Sequence, residues 1–223
     1  MISISNEIPN LTFKEVSFSW PEKNYPVIDN CSFSINNKGL WMIIGKNGSG
    51  KSTLLKLIQG ILKPNQGQII RKAKIGTVFQ NPDHQILMPN CRSELLLNIN
   101  NELPRNQINI NIKNALNKVG LDGFDKRPIH TLSGGQKQRL IIASALVSNR
   151  NFILMDEPTA LLDNKSQLNI LKILKELTSN RSNPVTALWI THRMEELRFA
   201  DGVAEMKDGN LSEWRKSSKF NFN

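Results

Sequence analysis

Cysteine is nearly absent: Cys31 and Cys91 are the only two in 223 residues, far apart and without a C-x-x-C partner. That excludes a disulfide scaffold and a cysteine-based zinc site, and two reduced thiols with no metal role are expected. Aromatics are scarce as well, 6% with a single tyrosine. Basic residues outnumber acidic ones, 29 Lys and Arg against 19 Asp and Glu for a formal charge of +10, yet they are scattered. The charge alone fits a nucleic-acid partner, an anionic membrane surface or a lysine-rich background. Lacking basic blocks interleaved with aromatics, the chain gives no sign of a dedicated nucleic-acid face, and no such partner is expected. No run of about 18 apolar residues occurs, and Met1 to Glu7 has neither the charged nor the apolar part of a signal peptide. The chain is therefore expected to be soluble and cytosolic. It also has no internal repeat.

What is present centres on one stretch, Gly45, Lys46, Asn47, Gly48, Ser49, Gly50, Lys51, Ser52 and Thr53. It satisfies every position of the G-x-x-x-x-G-K-[ST] phosphate loop. A loop that wraps a polyphosphate must turn several N–H groups inward, which Gly48 and Gly50 allow without a Cβ penalty. Lys51 adds a charge for the β- and γ-phosphates, and the Ser52 hydroxyl is placed for Mg²⁺. Upstream, the apolar run from Leu40 to Ile44 reads as a buried parallel strand. Downstream, Thr53 to Gln59 has helical spacing and ends at a capping Gly60.

In chain order, Leu11 to Ser19 and Val27 to Ile35 alternate with period two and predict a pair of antiparallel strands. Trp20 closes the first, where it could stack on an adenine or stay a half-buried strand aromatic. Short strands are expected near Gln68 to Arg71 and Lys74 to Phe79, before Gln80-Asn-Pro breaks the pattern. Residues 82–131 then shift to an asparagine-rich, strand-poor composition with apolar residues at helical spacing, which predicts an inserted helical subdomain. Leu132-Ser-Gly-Gly-Gln136 opens another helix, with Ser133 as N-cap and glycines leaving first-turn amides open to an anion. Phe152 to Met155 is a buried strand ending in Asp156-Glu157, and Thr186 to Ile190 is another ending in Thr191-His192. Gly202 to Leu211 reads as a hairpin about Asp208-Gly209. Residues 1–81 and 132–215 form the expected nucleotide-binding core, and 216–223 a frayed tail.

Together these motifs resemble the ATP-binding cassette family over nearly the whole chain. The phosphate loop says only that nucleotide binds. The Leu132 to Gln136 signature, set between a helical insertion and a strand ending in Asp156-Glu157, separates this family from kinases and GTPases. The strings Val78 to Ile86 and His130 to Arg139 are most similar to the energy-coupling-factor importers of vitamins and transition metals. The resemblance implies an α/β fold: a P-loop NTPase, RecA-like core with an N-terminal antiparallel β subdomain and an inserted α-helical subdomain. It implies Trp20 as adenine-stacking aromatic, Gln80 touching Mg²⁺ and the attacking water, and Asp156 behind the metal. Glu157 would be the general base and His192 the contact to the γ-phosphate. Ser133, Gly134, Gly135 and Gln136 would complete the ATP site of a second subunit, with Asp163 at the subunit boundary. ATP and Mg²⁺ are the implied cofactors. The implied partners are a second cassette subunit, itself or a paralogue, head to tail, and an integral membrane transporter subunit. The implied location is the inner face of the plasma membrane.

Two function classes stand beside each other: the ATPase subunit of a membrane transporter, and a soluble cassette ATPase acting on nucleic acid or ribosomes. The first is favoured, since Lys51 to Leu132 has no sustained heptads and there is one cassette rather than two. The apolar residues Ile86, Leu87, Met88, Leu95, Leu96 and Leu97 predict a docking groove for a cytoplasmic helix of the membrane subunit. His84 and His130 read as loop residues without chemistry.

Overall fold

The computed structural model describes residues 10–35, 38–99, 102–148, 150–180 and 185–220. Its strands are β1 (Leu11–Phe18), β2 (Ile28–Ile35), β3 (Gly39–Ile44), β4 (Gln66–Arg71), β5 (Ile75–Val78), β6 (Phe152–Asp156), β7 (Thr186–Ile190), β8 (Gly202–Lys207) and β9 (Asn210–Leu211). The helices are α1 (Lys51–Gln59), α2 (Cys91–Leu96), α3 (Arg105–Lys118), α4 (Gly134–Val147) and α5 (Asn164–Ser179). Six strands form one sheet in the order β5-β6-β7-β3-β8-β9, parallel except for the β8-β9 hairpin. β2-β1-β4 form a separate antiparallel sheet.

The apolar strands β3, β6 and β7 sit inside the large sheet, where both faces are covered. Their side chains alternate between two cores. Leu40, Met42, Ile153, Met155, Ala187 and Trp189 face one cluster, shared with α4, α5 and the helical insertion. Trp41, Ile43, Phe152, Leu154, Leu188 and Ile190 face the other, shared with α1 and the antiparallel sheet. A sheet clad on both sides presents only its strand ends, and the C-terminal ends of β3, β6 and β7 open into the loops that carry the motifs.

Residues 82–131 hold α2, α3 and two short 3₁₀ turns. The asparagines do not prevent α3, because Ile112, Ala115 and Leu116 bury one stripe while Gln107 and Asn111 hydrogen-bond outside. Burial of that stripe outweighs the weak helix propensity of asparagine. α2 starts on the Asn90 side chain, which accepts the Ser93 N–H, and its buried Glu94 accepts the amides of Leu87 and Met88, both at 3.0 Å.

Two expectations change. The tail does not fray at 216: Ser217–Lys219 forms a 3₁₀ turn and Phe220 packs partly buried on the core, anchored by backbone pairing of Arg215 with Val203. Residues 221–223 lie outside the described set. Of the six residues expected to form a docking groove, Leu95 is core, Ile86 and Leu96 lean on it and Met88 is half-buried, so only Leu87 and Leu97 are exposed. A single apolar stripe on α2 serves the insertion's own core first.

Candidate functional site

The loop between β3 and α1 is built around two left-handed residues, Gly48 at φ 82° and Gly50 at φ 105°. Gly50 is also the N-cap of α1 and supplies no side-chain cap. The first-turn amides of Lys51, Ser52 and Thr53 thus begin a helix whose positive end is left for an anion. Lys51 is buried, and its Nζ donates to the carbonyls of Gly45 at 2.7 Å and Lys46 at 2.9 Å. An ammonium has three N–H donors, so the third is left for a phosphate oxygen. Burial pushes the Lys51 pKa down, while the charges of Glu157 and Asp156 raise it.

A cavity of about 390 Å³ opens over this loop, walled by Trp20, Lys23, Val27, Asn47, Gly48, Gly50, Lys51, Ser52, Thr53, Asp156 and Glu157. Trp20 is half-buried, edge-on to Phe18 with ring centroids 5.2 Å apart and with Lys56 Nζ 5.4 Å from its centre. Burial, then the Glu157 charge, push the Asp156 carboxyl above the usual range, with Lys51 pulling it back. Ser52 hydroxyl and Asp156 carboxylate on one cavity wall are hard oxygen donors, the type that Mg²⁺ takes.

Across the loop lies a second cavity of about 550 Å³, lined by Gly45, Lys46, Asn47, Glu157, His192, Met194 and Glu205, with Ile44 beneath. Asp156 and Ile190 are parallel partners, so the residues that follow them, Glu157 and Thr191-His192, leave the sheet side by side. His192 Nδ1 lies 3.0 Å from Glu157 Oε1, an N–H donating to a carboxylate. Glu157 has a left-handed backbone, φ 43°, a conformation that costs a side chain such as glutamate energy and recurs at functional sites.

The Leu132 to Gln136 signature forms a separate site. Ser133 caps α4 in a full capping box: its hydroxyl accepts the Gln136 N–H, and the Gln136 side chain accepts the Ser133 N–H. Gly134 packs against Leu162 and Gly135 against Ser166. Asp163 caps α5, accepting the Ser166 amide at 2.9 Å and hydroxyl at 2.7 Å, which holds its carboxyl below the usual range. Thus Ser133, Gly134, Gly135, Gln136 and Asp163 share one surface, and none of them lines either cavity.

Gln80 follows β5, the neighbour of β6, and is exposed at the same sheet end as Asp156 without lining either cavity. Its approach is held by α4: Gln138 Nε2 donates to the Phe79 carbonyl at 2.9 Å, and Lys137 pairs with Asp83 at 2.6 Å. Sequence reasoning missed Lys23, Met194 and Glu205 at the cavities. It also missed a buried carboxylate, Glu196, behind the Glu157 and His192 loops. The Glu195-Glu196 pair was visible, but only the fold tells which of two adjacent glutamates turns inward.

The sequence profile described as ABC transporter matches residues 28–160. Among curated proteins, the ABC transporter I family member 10 of Arabidopsis thaliana is 42% identical over 188 residues, 83% of this chain and 69% of that protein. The energy-coupling factor transporter ATP-binding protein EcfA1 of Streptococcus pyogenes serotype M5 is 35% identical over 217 residues, 90% of this chain and 77% of that one. Among solved structures, cbiO1 of Clostridium perfringens, part of the ABC transporter complex cbiONQ, superposes with a TM-score of 0.88 at 30% identity, covering 96% of this chain and 90% of that one. The cassette MJ0796, a dimer in a post-hydrolysis state with ADP and Pi, gives 0.75 at 28% identity, over 93% and 98%.

Proposed function

The chain belongs to the ABC transporter family, and from that premise we propose that it is the ATP-hydrolysing subunit of an energy-coupling-factor-type importer for a vitamin or a transition metal ion, with Glu157 as the base. The single observation that carries the hydrolytic reading is the Glu157 and His192 pair, aligned at 3.0 Å over the cavity bounded by the phosphate loop. The importer reading is supported by the likeness to the EcfA1 and cbiO1 proteins.

Phosphoryl transfer to water requires positioning and charge neutralisation more than covalent chemistry. Lys51 and the amides of the loop hold the β- and γ-phosphates. Trp20 lines the same cavity and offers a face for the adenine. Glu157 orients a water and takes its proton, while His192, kept in one tautomer by that carboxylate, steadies the γ-phosphate. Ser52 and Asp156, which line that cavity, would hold Mg²⁺, and Gln80 would have to reach it from outside the cavity at the same sheet end; the ion would supply charge neutralisation.

The signature surface supports a second cassette subunit as partner. Ser133, the start of α4 and Asp163 form an anion-binding helix start that faces neither cavity of its own chain, so they serve the nucleotide of a second subunit in a head-to-tail pair. The dimeric state of MJ0796 is in keeping with this. Among the described residues no helix is long and apolar enough to cross a membrane, so a separate integral membrane subunit would carry the transport path, with this chain on the inner face. The domain division follows: 1–81 with 132–215 as the nucleotide core and 82–131 as the helical arm.

The test is Glu157→Gln. ATP binding should persist while hydrolysis falls by about 10²-fold or more, the scale of a lost general base. Near wild-type turnover in that variant would remove Glu157 from the role.

A further inference from the structure

Past Asp156 and Ile190 the sheet no longer aligns the two catalytic loops. The Glu157 amide still donates to the Ile190 carbonyl at 2.9 Å, and then the chains diverge. Something must hold Glu157 in its left-handed backbone conformation, since such strain persists only where the surroundings over-determine it.

Behind the pair lies Glu196, 1% exposed. Its Oε1 accepts the hydroxyl of Thr159 at 2.5 Å, and its Oε2 accepts the hydroxyl of Thr191 at 2.6 Å. Thr159 stands two residues after Glu157, and Thr191 immediately precedes His192. Both threonines are 1% exposed. These separations are those of hydroxyls donating to an ionised carboxylate. The Thr191 oxygen also accepts the Arg193 amide at 3.0 Å, which directs its proton toward Glu196. On the other side, Gln167 of α5 donates to the Thr159 carbonyl at 3.3 Å.

A buried carboxylate is an expensive way to fill a core, and burial does push this one above the usual range. A leucine would occupy the space without that cost, although it would, as a glutamine also would, remove the charge that Arg193 Nε meets at 3.6 Å from Oε1. What a leucine cannot do is accept two hydroxyls at once, one from each loop.

Resting on the assignment of Glu157 and His192 made above, we propose that Glu196 is a positioning residue for ATP hydrolysis, clamping the loop after β6 to the loop after β7 so that Glu157 and His192 stay paired. It lines neither cavity and acts through Thr159 and Thr191.

The experiment compares Glu196→Ala, Glu196→Leu, Glu196→Gln and Thr191→Val in the full chain within its transporter complex. Misalignment of catalytic groups by about 1 Å costs roughly 10²-fold in rate, so Glu196→Ala and Glu196→Leu should lose about that much kcat with ATP affinity unchanged. Glu196→Gln should recover most of it, because an amide accepts from one threonine and donates to the other, whose hydroxyl can turn. Thr191→Val should lower kcat alone. The His192 Nδ1 proton resonance should move with kcat across the series. If Glu196→Leu restores turnover as well as Glu196→Gln, the residue is filler and the clamp is overturned. Should Glu196→Ala fail to fold, Glu196→Leu and Thr191→Val decide the matter. Glu157→Gln separates the two ideas: hydrolysis surviving there overturns the base, whereas hydrolysis lost there but intact in Glu196→Leu overturns only the clamp.

Discussion

Trp20 shows what a single residue's surroundings add to its type. Its ring lines the phosphate-loop cavity and lies T-shaped against Phe18, so it is a half-buried strand aromatic placed where the proposed adenine contact would be made. Trp20→Ala should weaken ATP binding by about 1–3 kcal/mol, the range of aromatic stacking on a base, as measured by calorimetry. Asp156 carries a pH signature. Its pKa is raised from 3.8, chiefly by burial. The ionised form is therefore the costly one in the fold. Its contribution to stability is fully present below the unfolded value and is lost as pH rises through the folded value. Asp156→Asn should then raise the melting temperature of the nucleotide-free protein at pH 7, with the gain disappearing as the pH falls below the ordinary value of 3.8, and should weaken Mg²⁺-dependent hydrolysis. Calorimetric melts across that pH range read the first effect, and phosphate release the second. Both Asp156 and Glu157 were legible as the residues that end a buried strand. The left-handed φ of Glu157 was not, since nothing in a glutamate's identity announces it.

At the scale of elements, the starts of α4 and α5 form a close joint. A Cβ on Gly135 would lie 2.7 Å from Ser166 Oγ and 2.8 Å from its Cβ, so the joint has no room for even a methyl group. Gly135→Ala should push the two helix starts apart and displace the surface shared by Ser133 and Asp163. In a Glu157→Gln background, ATP-dependent dimers seen by sedimentation should be lost while each monomer still binds ATP through Lys51. A dimer of unchanged strength would separate this surface from the partner's nucleotide. The sequence disclosed the cap of α4, because Ser133 is a strong N-cap residue before apolar periodicity, whereas α5 and its cap on Asp163 came from the structure alone. The approach of Gly135 to Ser166 joins residues 31 positions apart and left no local signal. α3 was obscured for the opposite reason. Its asparagines weaken the local helical signal, and the burial that compensates comes from α4 and the core.

For the whole molecule, the question is where force leaves the cassette. Leu87, at 77% exposure, and Leu97, at 49%, remain on the surface of the arm, Leu87 shortly after the turn held by the Lys137 and Asp83 pair and Leu97 at the end of α2. Leu87→Glu should leave the melting temperature and ATP affinity unaltered while membrane-complex assembly, read by co-purification, is lost. Leu95→Glu buries a charge in the arm's core and should instead cost several kcal/mol of stability, enough to prevent folding. Normal assembly of the Leu87 variant would move the docking surface elsewhere.

The sequence by itself determined the nucleotide chemistry and the fold class, because both rest on local regularities. A phosphate loop needs its glycines and lysine at fixed spacing, and a strand covered on both faces needs an unbroken apolar run such as Leu40 to Ile44. Only the tertiary structure decided which of these residues meet. Parallel pairing of Asp156 with Ile190 puts Glu157 beside His192, and the fold leaves Ser133 and Asp163 outside the lining of both phosphate-loop cavities. It also chose Glu196 over Glu195 as the carboxylate turned inward. Those outcomes depend on contacts between residues far apart in the chain, which pack to satisfy buried hydrogen bonds and close apolar gaps, and no periodicity along the sequence records them.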